Sequence, residues 1–369
     1  RCDGQGAAVS ARAVLRICMA LAGLLLAPLA GADTFHVLAY HDVRDAVSGD
    51  FDPDQYAVST RNLIDHFTWL ADNGFHPVSI DDIEAAGRGE RPLPDKAVLI
   101  TFDDGLRSVY TQVFPLLKLF HYPAVVSLVT GWIERDANVA QAGRILTRSD
   151  FLTWQQVAEL SQSGLVEIAS HSHDLHRGVR GNPQGNEQPA GVTLRAGEGG
   201  SYETASGYRA RVMGDLATSA QLIEKHTGSR PRVMTWPYGA YNAELRRAAA
   251  DLGMRITMTL DDGVDDTGRL DAVARHLMQA NPGVEGLASS LLERPSAPLV
   301  RAAQVDLDYL YDPDPEQQER NLGRLLDRVK ALEITHVFLQ AFADPDGDGG
   351  ADALYFPNRA LPMRADLFN

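Results

Sequence analysis

The sequence predicts an α/β fold, in which a distorted (β/α)7-type barrel is followed by the beginning of a second (β/α) barrel. Between residues 33 and 297, seven short runs of apolar and β-branched residues alternate with helix-like segments. This alternation is typical of a parallel sheet whose faces are covered by helices. After residue 298 a strand–helix–strand pattern begins again, and one such unit is too small to bury a core of its own. We therefore expect a first domain at 33–297 and an incomplete second domain at 298–369.

The predicted elements follow one another regularly along the chain. The strand-like runs are 35–40, 97–102, 124–129, 166–170, 232–236, 255–260 and 272–278. The helix-like segments are 60–74, 109–120, 153–164, 217–228 and 242–253. Several of these segments end in Gly, which is a common residue just past a helix C-terminus. In the second unit, strands at 305–312 and 335–342 flank a helix at 315–333.

One segment interrupts this regular pattern. Residues 177–207 contain eight glycines and have no apolar periodicity. The segment is either a flexible surface insertion or a loop that lines a binding site.

The N-terminus has the three parts of a secretory signal peptide, which we expect to span residues 1–32. An apolar run over 17–29 follows three arginines and precedes small residues at 30–32. The run is shorter than the roughly 20 apolar residues of a membrane span, which favours a cleaved signal over an anchor. Cys2 and Cys18 are the only cysteines. Without them, any metal must be held by His, Asp or Glu.

The composition excludes several classes of function. An apolar fraction of 44% and a charged fraction of 22% are those of a globular protein. The formal net charge is −15 at pH 7, which argues against a nucleic acid partner.

Two predicted strands end in acidic or imidazole side chains. The run 97–102 is followed directly by Asp103 and Asp104, and the first strand is followed by His41. In parallel barrels the chemistry is carried at the C-terminal ends of strands, which is where these residues lie. Two adjacent carboxylates repel each other unless a cation lies between them, so a metal site competes here with an ordinary cap or turn. A single strand-end histidine is by itself more often structural.

Three histidines follow the strand at 166–170, in the segment Ser-His-Ser-His-Asp-Leu-His. This density of imidazoles indicates a metal site, because two neutral imidazoles, a carboxylate and a water form an open catalytic site. Residues two apart share one face of a strand, whereas residues five apart converge only through a turn. His171 therefore pairs either with His173 or with His176.

A fourth strand end carries the segment Thr-Trp-Pro-Tyr-Gly at 235–239. Its proline and glycine fix a turn that can leave a backbone N–H free to bind an anion. The alternative is an aromatic lid over the core.

Together, the motifs at 101–104, 171–176 and 236–239 resemble those of the polysaccharide deacetylases of carbohydrate esterase family 4. The resemblance covers residues 35–280, and from about residue 300 the chain resembles a glycoside-hydrolase-like domain. It implies that Asp103 is the general base, and that Asp104, His171 and His176 hold one divalent metal ion, which could be Zn, Ni, Co or Fe.

The exopolysaccharide branch of this family is circularly permuted, which implies that His41 is the general acid. His276 is the alternative if the usual motif order holds. The resemblance also implies an oxyanion donor at the Tyr238 backbone N–H and substrate contacts by Trp236 and Pro237. Thr235 stands where the family carries an arginine, and Arg275 is the candidate substitute.

The resemblance implies hydrolysis of N-acetyl groups on an exported β-1,6-linked N-acetylglucosamine polymer, as in biofilm exopolysaccharide. It places the protein in the periplasm, associated with polysaccharide export machinery at the outer membrane. Two alternatives are a peptidoglycan or chitin-oligomer deacetylase and a non-catalytic carbohydrate-binding barrel. A non-catalytic barrel is expected to lack a member of the Asp-Asp-His-His set, and none is missing.

Overall fold

A computed structural model describes residues 33–48, 52–136, 138–182, 185–197, 201–292, 300–347 and 350–367. The predicted signal peptide and the predicted domain boundary at 297–298 lie outside these residues. Within the described ranges, no helix combines the length and the apolar character needed to cross a membrane.

The described chain contains mostly short strands and helices. The strands are β1 Thr34–Tyr40, β2 Val43–Arg44, β3 Val58–Ser59, β4 His76–Pro77, β5 Ala97–Phe102, β6 Ala124–Leu128, β7 Val139–Gln141, β8 Arg144–Leu146, β9 Val166–Ser170, β10 Gly178–Arg180, β11 Glu187–Pro189, β12 Val233–Thr235, β13 Ile256–Met258, β14 Asp265–Asp266, β15 His276–Leu277, β16 Ala302–Asp306, β17 His336–Gln340, β18 Phe342–Ala343 and β19 Ala353–Leu354. The α-helices are α1 Thr60–Asp72, α2 Ile80–Gly87, α3 Phe114–Phe120, α4 Thr130–Glu134, α5 Trp154–Gln162, α6 Ala205–Thr227, α7 Ala243–Asp251, α8 Val284–Leu292 and α9 Pro315–Ala331. A π-helical turn, Val109–Val113, precedes α3.

The main sheet is parallel and curled. Its strand order is β13-β12-β9-β6-β5-β1-β14, with β4 paired to β5 and β15 paired to β1. Apart from β14, which runs antiparallel to β1, these pairings are parallel. Val273 forms a parallel bridge with Met258 of β13 just before β15 pairs with β1, so this segment connects one end of the sheet to a strand near its other end. The predicted α/β fold with a parallel sheet is confirmed.

Helices cover the outer face of this sheet, and the chemistry-bearing motifs follow its strands. All six residues of β5 are buried, as expected of a central parallel strand with both faces covered. One face of the sheet packs on residues such as Leu63 and Phe67 of α1. The other face contributes Leu99 of β5 and Val125 of β6 to the interior of the curled sheet. Because the strands are parallel, their C-terminal ends meet at one edge of the sheet.

Several elements differ from the sequence prediction. The strand predicted at 305–312 is replaced by β16, which ends at Asp306, and by a 3-10 turn at Leu307–Tyr309. The predicted strand at 272–278 is reduced to His276–Leu277, because the backbone leaves the ladder where the Arg275 N–H donates to Asp261 O. The helix predicted at 217–228 begins twelve residues earlier, at Ala205, where Thr204 Oγ1 accepts from the Gly207 N–H as an N-cap. Helix α2 was not predicted, although Ser79 and Asp82 form a capping box at its start.

The Asp265 carboxyl group on β14 makes the free energy of unfolding depend on pH. One carboxylate oxygen accepts from the Ala274 N–H, and the other is buried without a hydrogen-bond partner among the described residues. Burial raises its pKa to about 6. The folded state therefore holds this proton more tightly than the unfolded chain, and stability falls as pH rises from about 4 to about 6. We expect Asp265→Asn to raise the free energy of unfolding by about 1–3 kcal/mol at pH 7.5, with no difference at pH 4.

Urea denaturation at the two pH values measures this difference. Asp266→Asn, at the partly exposed neighbouring position, is the matched control. An Asp265→Asn protein that is no more stable than the wild type at pH 7.5 would contradict the prediction.

Candidate active site

Asp103 and Asp104 lie at the C-terminal end of β5, where the strand turns sharply. The Asp103 N–H still continues the ladder by donating to Tyr40 O at 2.9 Å. Asp104 and Gly105 then both adopt a left-handed backbone, with φ of 73°. This conformation is uncommon outside Gly, Asn and Asp, and it ends the strict alternation of a strand. Asp103 lines a cavity, Asp104 faces the neighbouring histidines, and both residues are almost completely buried.

His171 and His176 converge on Asp104. Their Nε2 atoms lie 3.6 Å and 3.4 Å from Asp104 Oδ1, and their rings pack edge to face at 5.0 Å. Ligand atoms of the three residues all lie within 4.8 Å of one another. The structure thus brings together the pair five residues apart. His173 instead contacts Thr130, with its Nδ1 3.0 Å from Thr130 Oγ1.

Asp103 lies between an arginine and a histidine. Arg275 Nη1 donates to Asp103 Oδ1 at 2.9 Å, and the arginine side chain is fully buried. His41 Nε2 lies 3.9 Å from Asp103 Oδ2 on the open side. Arg275 is held in turn by Thr259 O and Thr101 Oγ1. Arg275 therefore lies beside Asp103, as expected of a substitute for the family arginine that is missing at Thr235.

His276 lies outside this group. Its ring contacts His36, with nitrogens 3.1 Å apart, and its Nδ1 is 3.3 Å from Asp262. Neighbouring residues in extended backbone point to opposite sides, so Arg275 points into the site and His276 points away from it. The geometry therefore favours His41 over His276 as the imidazole that acts with Asp103.

A cavity of about 240 Å³ is lined by Asp103, Arg275, His41, His171 and His176 among others. Trp236 forms part of its wall and is buried, whereas Pro237 is buried outside the lining. Tyr238 is half exposed at the rim, with its ring 4.4 Å from the His176 ring and its backbone φ at 59°. The remaining lining residues, which the sequence did not single out, are Tyr56, Gln141, Ala142 and Leu260.

Tyr56 and Gln141 carry no motif that could have identified them. Tyr56 stacks against His41 with ring centroids 5.0 Å apart. Gln141 Nε2 lies 3.5 Å from Asp104 Oδ2, at the tip of the β7–β8 hairpin. A second cleft of about 350 Å³ adjoins the site and is lined by His176, Tyr238, Gly178 and Glu187 among others. Part of the glycine-rich insertion therefore lies beside the site.

The two aspartates have opposite pKa shifts. Burial raises the pKa of Asp103, but the neighbouring groups, Arg275 first among them, outweigh burial, so the pKa is lowered and the carboxylate stays ionised. Burial and the Asp103 charge together hold the pKa of Asp104 well above its usual value. Burial lowers the pKa of His176 well below its usual value and that of His41 to about 4. These imidazoles are therefore neutral and able to act as ligands or proton acceptors.

The residues fit a divalent cation. Asp104 Oδ1 is buried with no hydrogen-bond partner among the described residues, and it faces the two imidazole nitrogens. A buried carboxylate oxygen without a donor is costly, and a cation between the three ligands would remove that cost. The Nδ1 atom of His171 bonds Thr235 O at 2.8 Å, as a metal-binding histidine usually bonds a second partner. Asp104, His171 and His176 form a buried site that could bind a metal.

Two family models match separate parts of the chain. Residues 90–257 match the family model described as polysaccharide deacetylase. Residues 304–369 match a model described as hypothetical glycosyl hydrolase family 13.

The chain is similar to known de-N-acetylases. It is 40% identical over 338 residues to poly-β-1,6-N-acetyl-D-glucosamine N-deacetylase of Escherichia coli K12, covering 91% of this chain and 50% of that protein. Thus the chain spans about half the length of the curated relatives it matches first. A de-N-acetylase structure from Aggregatibacter actinomycetemcomitans has 37% identity and a TM-score of 0.65, covering 70% of this chain and 100% of that one. The deacetylase domain of BpsB from Bordetella bronchiseptica has 47% identity and a TM-score of 0.60, covering 66% and 96%.

Proposed function

The chain belongs to the polysaccharide deacetylase family, and from this membership we propose that it hydrolyses N-acetyl groups on a β-1,6-linked N-acetylglucosamine exopolysaccharide. The products are acetate and a partly deacetylated polymer. The observation that carries the proposal is a single cavity in which Asp103, held by Arg275 and flanked by His41, adjoins the Asp104–His171–His176 set.

We assign the metal ligands to Asp104, His171 and His176, and the ion to Zn, Ni, Co or Fe. When bound, such an ion acts as a Lewis acid that polarises the acetyl carbonyl and lowers the pKa of water. The neutral state of the imidazoles and the unpartnered Asp104 Oδ1 support this assignment.

In the proposed mechanism, the residues of this chain handle the protons and orient the substrate. Asp103 accepts a proton from the attacking water, and Arg275 keeps its carboxylate ionised and oriented. The neutral His41 imidazole, whose Nε2 lies 3.9 Å from Asp103 Oδ2, receives that proton from Asp103 and delivers it to the leaving nitrogen, so that the amine departs as a neutral group and the Asp103 carboxylate is regenerated. The Tyr238 backbone N–H donates to the oxyanion at the rim. We place the sugar against Trp236, which lines the cavity, whereas Pro237 lies behind the lining and fixes the turn that carries Tyr238.

We also infer that residues 33–297 form a distorted (β/α)7-type barrel and residues 298–369 begin a second (β/α) barrel. The parallel pairing of β16 with β17 across helix α9 supports the second unit, because it is a complete βαβ unit. Phe338 on β17 and Leu332 after α9 are 66% and 62% exposed, which is typical of a face that further strands would cover. The match of residues 304–369 to a glycosyl hydrolase model points the same way.

Export to the periplasm, with cleavage of residues 1–32 in the course of translocation, completes the proposal. The signal-like N-terminal sequence supports it. Deacetylation creates an ammonium group on each sugar it modifies, and a chain of net charge −15 attracts such a cationic product. Export machinery for the polymer at the outer membrane is the protein partner that this role requires.

Acetate release from defined polymers tests the proposed function. We expect release from β-1,6-linked N-acetylglucosamine oligomers, its loss after treatment with a chelator, and its return when a single divalent metal is added back. Chitin oligomers and peptidoglycan are run in parallel. Acetate release from only one of these two substrates would identify that substrate as the one hydrolysed. Binding of oligomers without acetate release would show that the protein is a non-catalytic carbohydrate-binding barrel.

A further inference from the structure

The loop from His171 to His176 carries two of the three ligands, five residues apart. Such a pair meets only if the intervening backbone makes a tight turn. Ser172 supplies that turn with a left-handed φ of 72°, and it is completely buried. A left-handed serine is strained, so contacts from outside the loop have to hold it in this conformation.

Helix α4 holds one side of the loop. The N–H groups of Thr130 and Gly131 donate to Ser172 O at 3.1 Å and His173 O at 2.9 Å. A Cβ atom on Gly131 would lie 2.2 Å from His173 O, so only glycine permits this approach. The loop carbonyls are thereby fixed from one direction.

Asp215 of helix α6 holds the opposite side. Its two carboxylate oxygens accept from the N–H groups of His173 at 2.8 Å and Asp174 at 2.7 Å. The same helix contacts the start of the turn, because Ser219 Oγ lies 2.8 Å from Ser170 Oγ, which in turn accepts from the Ser172 N–H. Carbonyls and N–H groups of the turn are therefore bound by two different helices.

We propose that Asp215 is a positioning residue that sets the spacing of the His171 and His176 imidazoles and thereby the affinity of the metal site. The inference rests on the metal-binding part of the proposed function. A carboxylate suits this role because it offers two acceptors to two adjacent N–H groups, and the charge strengthens both bonds. It acts through the loop and touches neither substrate nor metal.

The test is a titration of the full chain with Zn²⁺ alone, in competition with a chromophoric chelator and with no substrate present. In Asp215→Asn the amide NH₂ faces one of the loop N–H groups, so only one of the two bonds survives. We expect its dissociation constant for Zn²⁺ to rise about 10- to 100-fold, as is common when a group behind a metal ligand is changed. Glu224→Gln is the matched control, because it removes an exposed carboxylate from the same helix.

Gly131→Ala gives an independent result should Asp215→Asn fail to fold, because its Cβ displaces the His173 carbonyl from the other side of the loop. We expect it to weaken Zn²⁺ binding as well. Wild-type affinity in the folded variants would overturn the inference. The titration contains no substrate, so it does not depend on acetate release. Weaker Zn²⁺ binding in the variants would support the inference even if the wild type releases no acetate, and the failure of the inference can therefore be distinguished from that of the proposed function.

Discussion

Alanine in place of Asp104 is expected to lower kcat/KM for acetate release by about 10³-fold or more. Asp104 is the one carboxylate in the candidate ligand set, and its Oδ1 faces both imidazole nitrogens. A Lewis acid contributes several kcal/mol to charge stabilisation in the transition state, and each 1.36 kcal/mol corresponds to a factor of ten in rate. Loss of the ion therefore accounts for a decrease of this size.

The same substitution should not destabilise the metal-free protein. The Asp104 carboxyl is buried beside Asp103, and its Oδ1 has no hydrogen-bond partner among the described residues. Removing it relieves a repulsion and an unsatisfied acceptor, which offsets the cost of alanine in the left-handed backbone at this position, so the free energy of unfolding without metal should change little. Urea denaturation with a chelator present measures this quantity.

Asp95→Ala is the matched control, because Asp95 is exposed near the opposite end of the same strand, β5. It should retain wild-type kcat/KM and metal content. An Asp104→Ala protein that keeps both its bound metal and most of its activity would remove Asp104 from the ligand set, and activity that also survives chelation would end the metal assignment altogether.

The strands at the centre of the sheet could be predicted from sequence because burial on both faces requires continuous apolar runs. The runs 97–102 and 166–170 coincide with β5 and β9 at every residue. The strand predicted at 272–278 was reduced to two residues because Arg275 turns its side chain into the site and its backbone N–H bonds a loop carbonyl. The pattern of apolar and polar side chains alone does not show that the backbone leaves the sheet at this point.

The site could be predicted where its residues are adjacent in sequence and could not where they are brought together only by the fold. Asp103, Asp104 and the histidines of 171–176 lie directly after predicted strands, so their convergence at one sheet edge follows from parallel topology. Tyr56 comes from a loop and Gln141 from the end of β7, and the positions of both depend on tertiary contacts. Arg275 lies 172 residues from Asp103 in the chain. Only the family pattern suggested it, through the missing arginine at Thr235.

The start of helix α6 is another feature that could not be predicted from the sequence pattern. Its first turn lies in the glycine-rich insertion and has no apolar periodicity that would predict a helix. The turn forms because Tyr208, Val212 and Leu216 pack into a cluster with Met234 and Trp236, beneath the fourth motif. Tertiary burial therefore overrides a weak local preference, and it places Asp215 against the histidine loop.

Methionine in place of Arg275 is expected to lower the free energy of unfolding by about 3–5 kcal/mol, because it leaves the Asp103 carboxylate buried without its partner. The Arg275 side chain is completely buried and bonds Asp103 Oδ1 at 2.9 Å. The double variant Arg275→Met/Asp103→Asn removes both charges together. Its loss of stability should be smaller than the sum of the two single losses, since neither partner is left charged and unpaired.

Urea denaturation of the wild type, both single variants and the double variant gives the coupling energy. Arg246→Met is the matched control, because Arg246 bonds Asp271 at 2.7 Å on the surface of α7, where such a pair contributes about 0–1 kcal/mol. Losses that simply add in the double variant would show that Arg275 stabilises the fold by packing alone. A non-additive result would instead establish that Arg275 and Asp103 form one charged unit, whose net cost the protein bears in order to keep an ionised carboxylate inside a buried cavity.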